Sequence, residues 1–208
     1  MKKLLLATAL TLSAGAAFAQ DPTVVLSFST FEKDGVRTEG LAYDSEGSIG
    51  NFGYEVYAFD GDANGVDAKA AGLKANWTGL NLGQVAVGPA LGYDRVSIGG
   101  VSADDTKFGA AMKTSFGSVD VKGDALFSLD GNDAWIASLD GRMPVGDKLT
   151  ALASYTYADP GTKFESHQLE LGARYDVTTN AFIEATVDAE RSAGTTGTGA
   201  SLGLGLKF

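Results

Sequence analysis

The side chains able to do chemistry are few. The chain has 208 residues, one histidine (His167) and no cysteine. That removes thiol nucleophiles, disulfide frameworks and the usual zinc or two-histidine iron sites. Ser166 precedes His167, and Glu170 follows three residues on, a set that would suit a hydrolase. In an extended strand, however, 167 and 170 have opposite parity, so a base and its orienting acid would sit on opposite faces and could not cooperate. Asp60, Asp62, Asn64 and Gly65 match the first half of an EF-hand loop, but the twelfth position is Ala71 and Asp67 stands where an apolar residue is usual. Hairpin-turn chemistry explains those residues better than calcium. Asn76, Trp77 and Thr78 spell a glycosylation sequon at a strand end, and the glycines from Gly194 to Gly205 lack the strand-then-helix context of a nucleotide site. The expectation is no enzyme, no cofactor and no metal.

Charge narrows the partners. With 16 Lys+Arg against 26 Asp+Glu the formal net charge is −10, which argues against a nucleic-acid backbone as ligand. A hydrophobic content of 44% excludes a disordered chain. Residues 1–19 read as a secretory signal peptide: Lys2 and Lys3, then apolar Leu4 to Leu12, then Ala17, Phe18 and Ala19, with cleavage between Ala19 and Gln20. The apolar stretch is too short for a spanning helix, and nothing later reaches the length one needs. Residues 20–208 show no shift in composition and are expected to form one domain. Export without cysteine suits a Gram-negative periplasm or outer membrane.

The elements that must position the remaining side chains read with period two. Alternation is clearest over 84–94, 107–116, 119–129, 135–143, 149–157, 168–175, 181–189 and 200–208. Breakers separate many of these, among them Gly117-Ser118, Asp130 to Asn132, Pro144 to Lys148 and Val177 to Asn180. Upstream, 49–59 and 66–77 flank a turn-rich Asp60 to Gly65, and 24–31 and 36–43 flank Glu32 to Gly35. The sum is an all-β fold of about twelve antiparallel strands, with eight to twelve possible. Pro89 falls in mid-strand, where a closed barrel has no free edge to excuse its missing N–H. Either a bulge sits there or the strand is misdrawn.

The contents of the two faces distinguish a membrane barrel from a soluble one. In the clear strands one parity is uncharged, as in Phe108, Ala110, Met112, Thr114 and Phe116, or Leu202, Leu204, Leu206 and Phe208. A charge facing lipid costs about 2–4 kcal/mol at mid-depth, which would keep that face clean. With both termini on the periplasmic side, outward aromatics gather at the two ends. Phe208, Tyr175, Phe116 and Trp77 lie below; Tyr157, Tyr155, Trp135, Phe127, Phe108 and Tyr93 lie above, with aliphatics between. Two aromatic girdles around an aliphatic waist match a bilayer. Periplasmic connections are expected to be short, and the outer ones at Ser97 to Asp105, Ala158 to Glu165 and Glu190 to Gly199 longer.

The signal peptide, the alternating glycine-rich strands and the ending Ser201 to Phe208 resemble the Gram-negative outer-membrane porin-like β-barrels. The resemblance implies that Phe208 acts as a recognition signal for the barrel assembly machinery. It departs from general porins in size: sixteen strands of about 10 residues would consume nearly the whole mature chain, whereas twelve leave about six residues per connection. The lumen-lining candidates are Lys74, Lys113, Lys122, Asp124, Asp140, Arg142, Glu170, Arg174, Glu184, Asp188 and Lys207. Mapped by depth, bases fall toward the periplasmic end and acids toward the outside, so an acidic outer mouth and a more basic inner end are expected. The expected function is a small polar channel for passive diffusion of ions or small hydrophilic solutes in the outer membrane, in contact with lipid and lipopolysaccharide. The alternatives are a non-conducting structural or adhesion barrel and a soluble periplasmic ligand-binding barrel.

Overall fold

Two-residue breakers between alternating runs dictate hairpins, and hairpins in series dictate an antiparallel sheet. A computed structural model describes residues 20–130, 133–161 and 165–208. The expected signal peptide, two residues of the Asp130 turn and residues 162–164 of the 158–165 connection lie outside the described residues. The strands are β1 (Gln20–Lys33), β2 (Val36–Ile49), β3 (Phe52–Ala63), β4 (Val66–Trp77), β5 (Leu80–Leu82), β6 (Val85–Ile98), β7 (Val101–Phe116), β8 (Val119–Ser128), β9 (Trp135–Pro144), β10 (Leu149–Asp159), β11 (Ser166–Asp176), β12 (Ala181–Ser192) and β13 (Thr195–Lys207). Apart from β4 and β5, which do not pair with each other, each pairs antiparallel with its chain neighbours; β1 pairs with β13 and β4 with β6, which closes the sheet.

Short β5 is the continuation of β4. Asn76 faces Ala90 and Leu80 faces Val87, so residues 77–79 stand against only 88–89. That is a β-bulge, and with β4 and β5 counted as one strand the wall is a closed barrel of twelve. The bulge accommodates Pro89. On the β7 side the ladder runs unbroken through Pro89 and Ala110, while on the β4–β5 side it skips Gly88 and Pro89.

Both described chain ends lie at one end of the barrel, the base, where the Phe208 N–H donates to the Pro22 carbonyl at 3.1 Å. The opposite end is the rim. Four rim turns are two-residue hairpins with both residues at positive φ: Asp34-Gly35, Asn64-Gly65, Gly99-Gly100 and Ala193-Gly194, the signature of type I′ turns. This corrects the long outer connections expected at 97–105 and 190–199. Pairing continues to Ile98 and Val101, and to Ser192 and Thr195, because the glycine-bearing pairs reverse the chain without a loop. Likewise, Asp60 to Ala63 belong to β3, and Glu32 and Lys33 to β1.

The wall has two chemically distinct faces. Moving from base to rim, the outward residues of β2, β3, β4, β6, β7 and β12 are uncharged as far as Leu41, Ala58, Ala71, Tyr93, Thr106 and Ala189. The next outward residues are Glu39, Asp60, Lys69, Arg95, Asp104 and Arg191. Four to six alternate residues per strand make a belt about 25 Å tall, the height of the apolar band on outer-membrane barrels. Large apolar side chains in the belt stand open to the surroundings; Leu204 is 68% exposed. Phe208, Tyr175, Phe116 and Phe52 are exposed at its lower margin, and Phe28, Tyr93, Phe108, Phe127 and Tyr155 at its upper one. Above the belt the outward charges pair with each other, Arg37 with Glu39 at 2.9 Å and Lys69 with Asp67 at 3.2 Å.

Candidate functional site in the barrel interior

With the outer face uncharged, alternation leaves the ionisable side chains pointing inward. Register places all eleven candidates, Lys74, Lys113, Lys122, Asp124, Asp140, Arg142, Glu170, Arg174, Glu184, Asp188 and Lys207, on the inward parity of their strands. Contacts between strands that are not neighbours confirm which face is inside. Lys74 of β4 lies 2.6 Å from Asp124 of β8, across two intervening strands, and 3.1 Å from Glu55 of β3. Asp124 also accepts from the Ser138 hydroxyl at 3.0 Å.

Near the base, one contact spans the whole interior. Arg142 of β9 pairs with Glu46 of β2, and Lys122 of β8 joins the same carboxylate at 3.3 Å. The Thr23 hydroxyl donates to it as well, at 3.3 Å. In the ring of twelve, β2 and β9 are six strands apart in either direction, so the pair connects opposite walls. A circular twelve-stranded barrel would be about 24 Å across, from a strand spacing of about 4.8 Å and a tilt of about 40°. Extended Arg and Glu side chains in contact reach only about 15 Å between backbones. The cross-section is therefore oval at this level, narrow between β2 and β9.

Toward the rim, a second network gathers Tyr57, Asp94, Lys107, Asp105 and Ser128. The Tyr57 hydroxyl donates to Asp94 at 2.7 Å, Lys107 pairs with Asp94 and with Asp105 (2.9 Å), and the Ser128 hydroxyl donates to Asp105 at 2.6 Å. Tyr57 reaches Asp94 over Gly72, where a Cβ would meet the Asp94 carboxylate and the tyrosine ring. Lys33 and Glu190 pair at 2.7 Å. At the base, Arg174 holds Glu184 at 2.8 Å and lies over the Phe182 ring, 4.0 Å from its centroid, while Lys207 holds Asp176 at 2.6 Å.

These pairs correct the expected charge gradient. Lys207, Arg174, Arg142 and Lys74 do lie toward the base, but each is matched there by an acid, so they form no free basic ring. Lys113 stands apart: it is exposed, faces Lys122 across the β7–β8 ladder, and has no ion-pair partner among the described residues. Acids with no close ion pair among the described residues run along the other wall. Asp188 faces Glu170, Glu170 faces Ser154, and Ser154 faces Asp140, a continuous inward row over β12, β11, β10 and β9.

Sequence reasoning missed Glu46, Glu55 and Asp44, three inward acids of β2 and β3. The signal was available. The breaker at Gly50-Asn51 reads as a two-residue turn, and pairing outward from it sets Glu46 against Glu55 and Asp44 against Tyr57. The other motifs are absorbed by structure. His167 points outward, hydrogen-bonded to the Tyr155 hydroxyl at 2.7 Å, while Glu170 points inward, so no triad forms. Asp62 caps the Gly65 N–H, and Asn64 accepts from the Arg37 N–H at 3.0 Å and donates to the Gly35 carbonyl at 3.1 Å. Those are turn-locking contacts, as the hairpin reading predicts.

No family model and no curated protein matches the sequence. Among solved structures the chain is similar to the KdgM porin, at 10% identity over 88% of this chain and 99% of that one, with a TM-score of 0.59. It is also similar to an outer membrane channel from Pseudomonas putida F1, at 13% identity over 91% of this chain and 95% of that one, TM-score 0.57. An anion-selective porin from Comamonas acidovorans aligns at 10% identity over 91% of this chain and 99% of that one, TM-score 0.50. The resemblance read from the sequence holds at the level of the fold: a small barrel of the outer-membrane porin type.

Proposed function

We propose that this barrel sits in the Gram-negative outer membrane, base toward the periplasm, and lets ions or small hydrophilic solutes diffuse through its interior. The observation that carries the reading is the division of charge. The exterior is uncharged over a band about as tall as a bilayer core, and the charged side chains of the strands at that height turn inward. A soluble barrel binding an apolar ligand would have the opposite arrangement. The likeness in fold to porins and channels supports the same reading. Contact with lipid and lipopolysaccharide follows from the belt and the charged rim, and recognition of Phe208 by the barrel assembly machinery follows from the family resemblance. The interior acts as a passive conduit; the one histidine faces outward, away from the acids, so it cannot join them in a triad.

The pair joining β2 to β9 favours a second reading, a non-conducting barrel whose interior is closed by side chains. Recordings from refolded protein in planar bilayers separate the two. Discrete conductance steps are expected; a folded, inserted protein that gives none at any voltage would leave the structural role.

A further inference from the structure

We propose that the Glu46–Arg142 pair is the constriction of this channel, a bar between opposite walls that sets its conductance and adds to the field that selects the charge it lets through. The inference rests on the channel reading above. Apart from Lys122 of β8, which reaches the same Glu46 from five places away, every other interior ion pair among the described residues joins strands no more than three places apart round the ring, and so lies along the wall. This one crosses the short axis of the oval and divides the passage at its level. It is also braced: Glu46 is held by Arg142, Lys122 and Thr23 together, and a carboxylate with three donors is fixed in place better than one with a single flexible partner.

The local charge gives the two halves of the bar opposite effects. Around Glu46 stand two bases, Arg142 and Lys122; around Arg142 stand Asp120 and, two residues along its own strand, Asp140. Removing Arg142 leaves only Lys122 reaching across to Glu46, which widens the passage and leaves a surplus of acid at its narrowest level. Removing the charge of Glu46 opens the same passage and leaves Arg142 and Lys122 unmatched. Charged side chains at a narrow level decide which ions pass, so the two variants should widen the pore alike and shift its selectivity in opposite directions. A residue that merely stabilised the fold would not separate them in that way.

The test is single-channel recording and reversal potential in a potassium chloride gradient, for wild type, Arg142→Ala and Glu46→Gln, each checked for folding by heat-modifiable gel mobility. Arg142→Gln replaces the alanine variant if that one fails the check. Both substitutions are expected to raise unit conductance about twofold or more, with Arg142→Ala moving the reversal potential toward cations and Glu46→Gln toward anions. Steps that appear only in the variants would support the same assignment, with the wild-type bar closed. Unchanged conductance in both folded variants would overturn the constriction while leaving the channel reading intact. No steps from wild type or from either variant would overturn the channel reading and this inference with it.

Discussion

At the scale of single residues, the interior is built by pairing bulky or charged groups with bare backbone. Phe182 is the clearest case. It is 1% exposed and points into the base of the barrel, and it lies directly against Gly205, where a Cβ would stand 2.0 Å from the ring. Arg174 covers the ring from the other side and is itself buried, its charge met by Glu184. Gly205→Ala should displace Phe182 and uncouple this stack. Overpacking of this kind costs about 1–3 kcal/mol, and the expected result is a lower temperature for loss of the compact band in heat-modifiable gels. The double variant Gly205→Ala with Phe182→Leu should recover part of that loss, since the smaller side chain leaves room for the methyl. The inward positions of the eleven candidate residues were legible because alternation alone assigns a face. Their partners were not: Glu46 and Glu55 meet bases from strands far away in sequence, and only the closure of the barrel brings them together.

At the scale of elements, strand number and most strand cores were readable from the period of two, while the ends were not. Rim hairpins run further than expected because Asn64-Gly65 and Gly99-Gly100 take two consecutive positive φ values, letting pairing reach the last residue before the turn. Composition alone does not distinguish such a turn from a polar loop of six or eight residues. The bulge between β4 and β5 was announced only by Pro89, and its second requirement, Gly88, was silent. A Cβ on Gly88 would stand 1.6 Å from the Trp77 carbonyl oxygen, a backbone atom that cannot swing aside. Gly88→Ala should therefore break the β4–β6 seam that closes the barrel, giving little or no heat-modifiable protein after refolding. Pro89→Ala should refold normally, with stability within about 0.5 kcal/mol of wild type, because the ladder already lapses beside it. Normal refolding of Gly88→Ala would show that the seam closes elsewhere.

At the scale of the whole molecule, the partition of charge makes demands on the solvent at each face. Leu171 stands exposed at mid-height of the belt, and Glu170 beside it faces the interior. Leu171→Arg should cost about 2–4 kcal/mol in bilayer-folded protein, whereas His167→Arg, at the rim margin, should cost about 0–1. Equal effects at the two depths would mean that no hydrocarbon surrounds the belt. Inside, the sign of the lumen follows from which charges are already matched. Lys33, Lys74, Lys107, Arg174 and Lys207 each hold an acid within 2.6–2.9 Å, and so present little net charge to a passing ion. Asp188, Glu170 and Asp140 line one wall with only Ser154 among them. A narrow passage with low-dielectric walls strengthens such a field. Although one structure of similar fold belongs to an anion-selective porin, selectivity resides in side chains and not in the fold, and this lumen should prefer cations. The double variant Glu170→Gln with Asp188→Asn removes two of the three carboxylates without touching the Glu46 bar or Asp140 beside Arg142. Its reversal potential in a potassium chloride gradient should move toward zero while unit conductance changes little; an unaltered reversal potential would place the selective field elsewhere in the barrel.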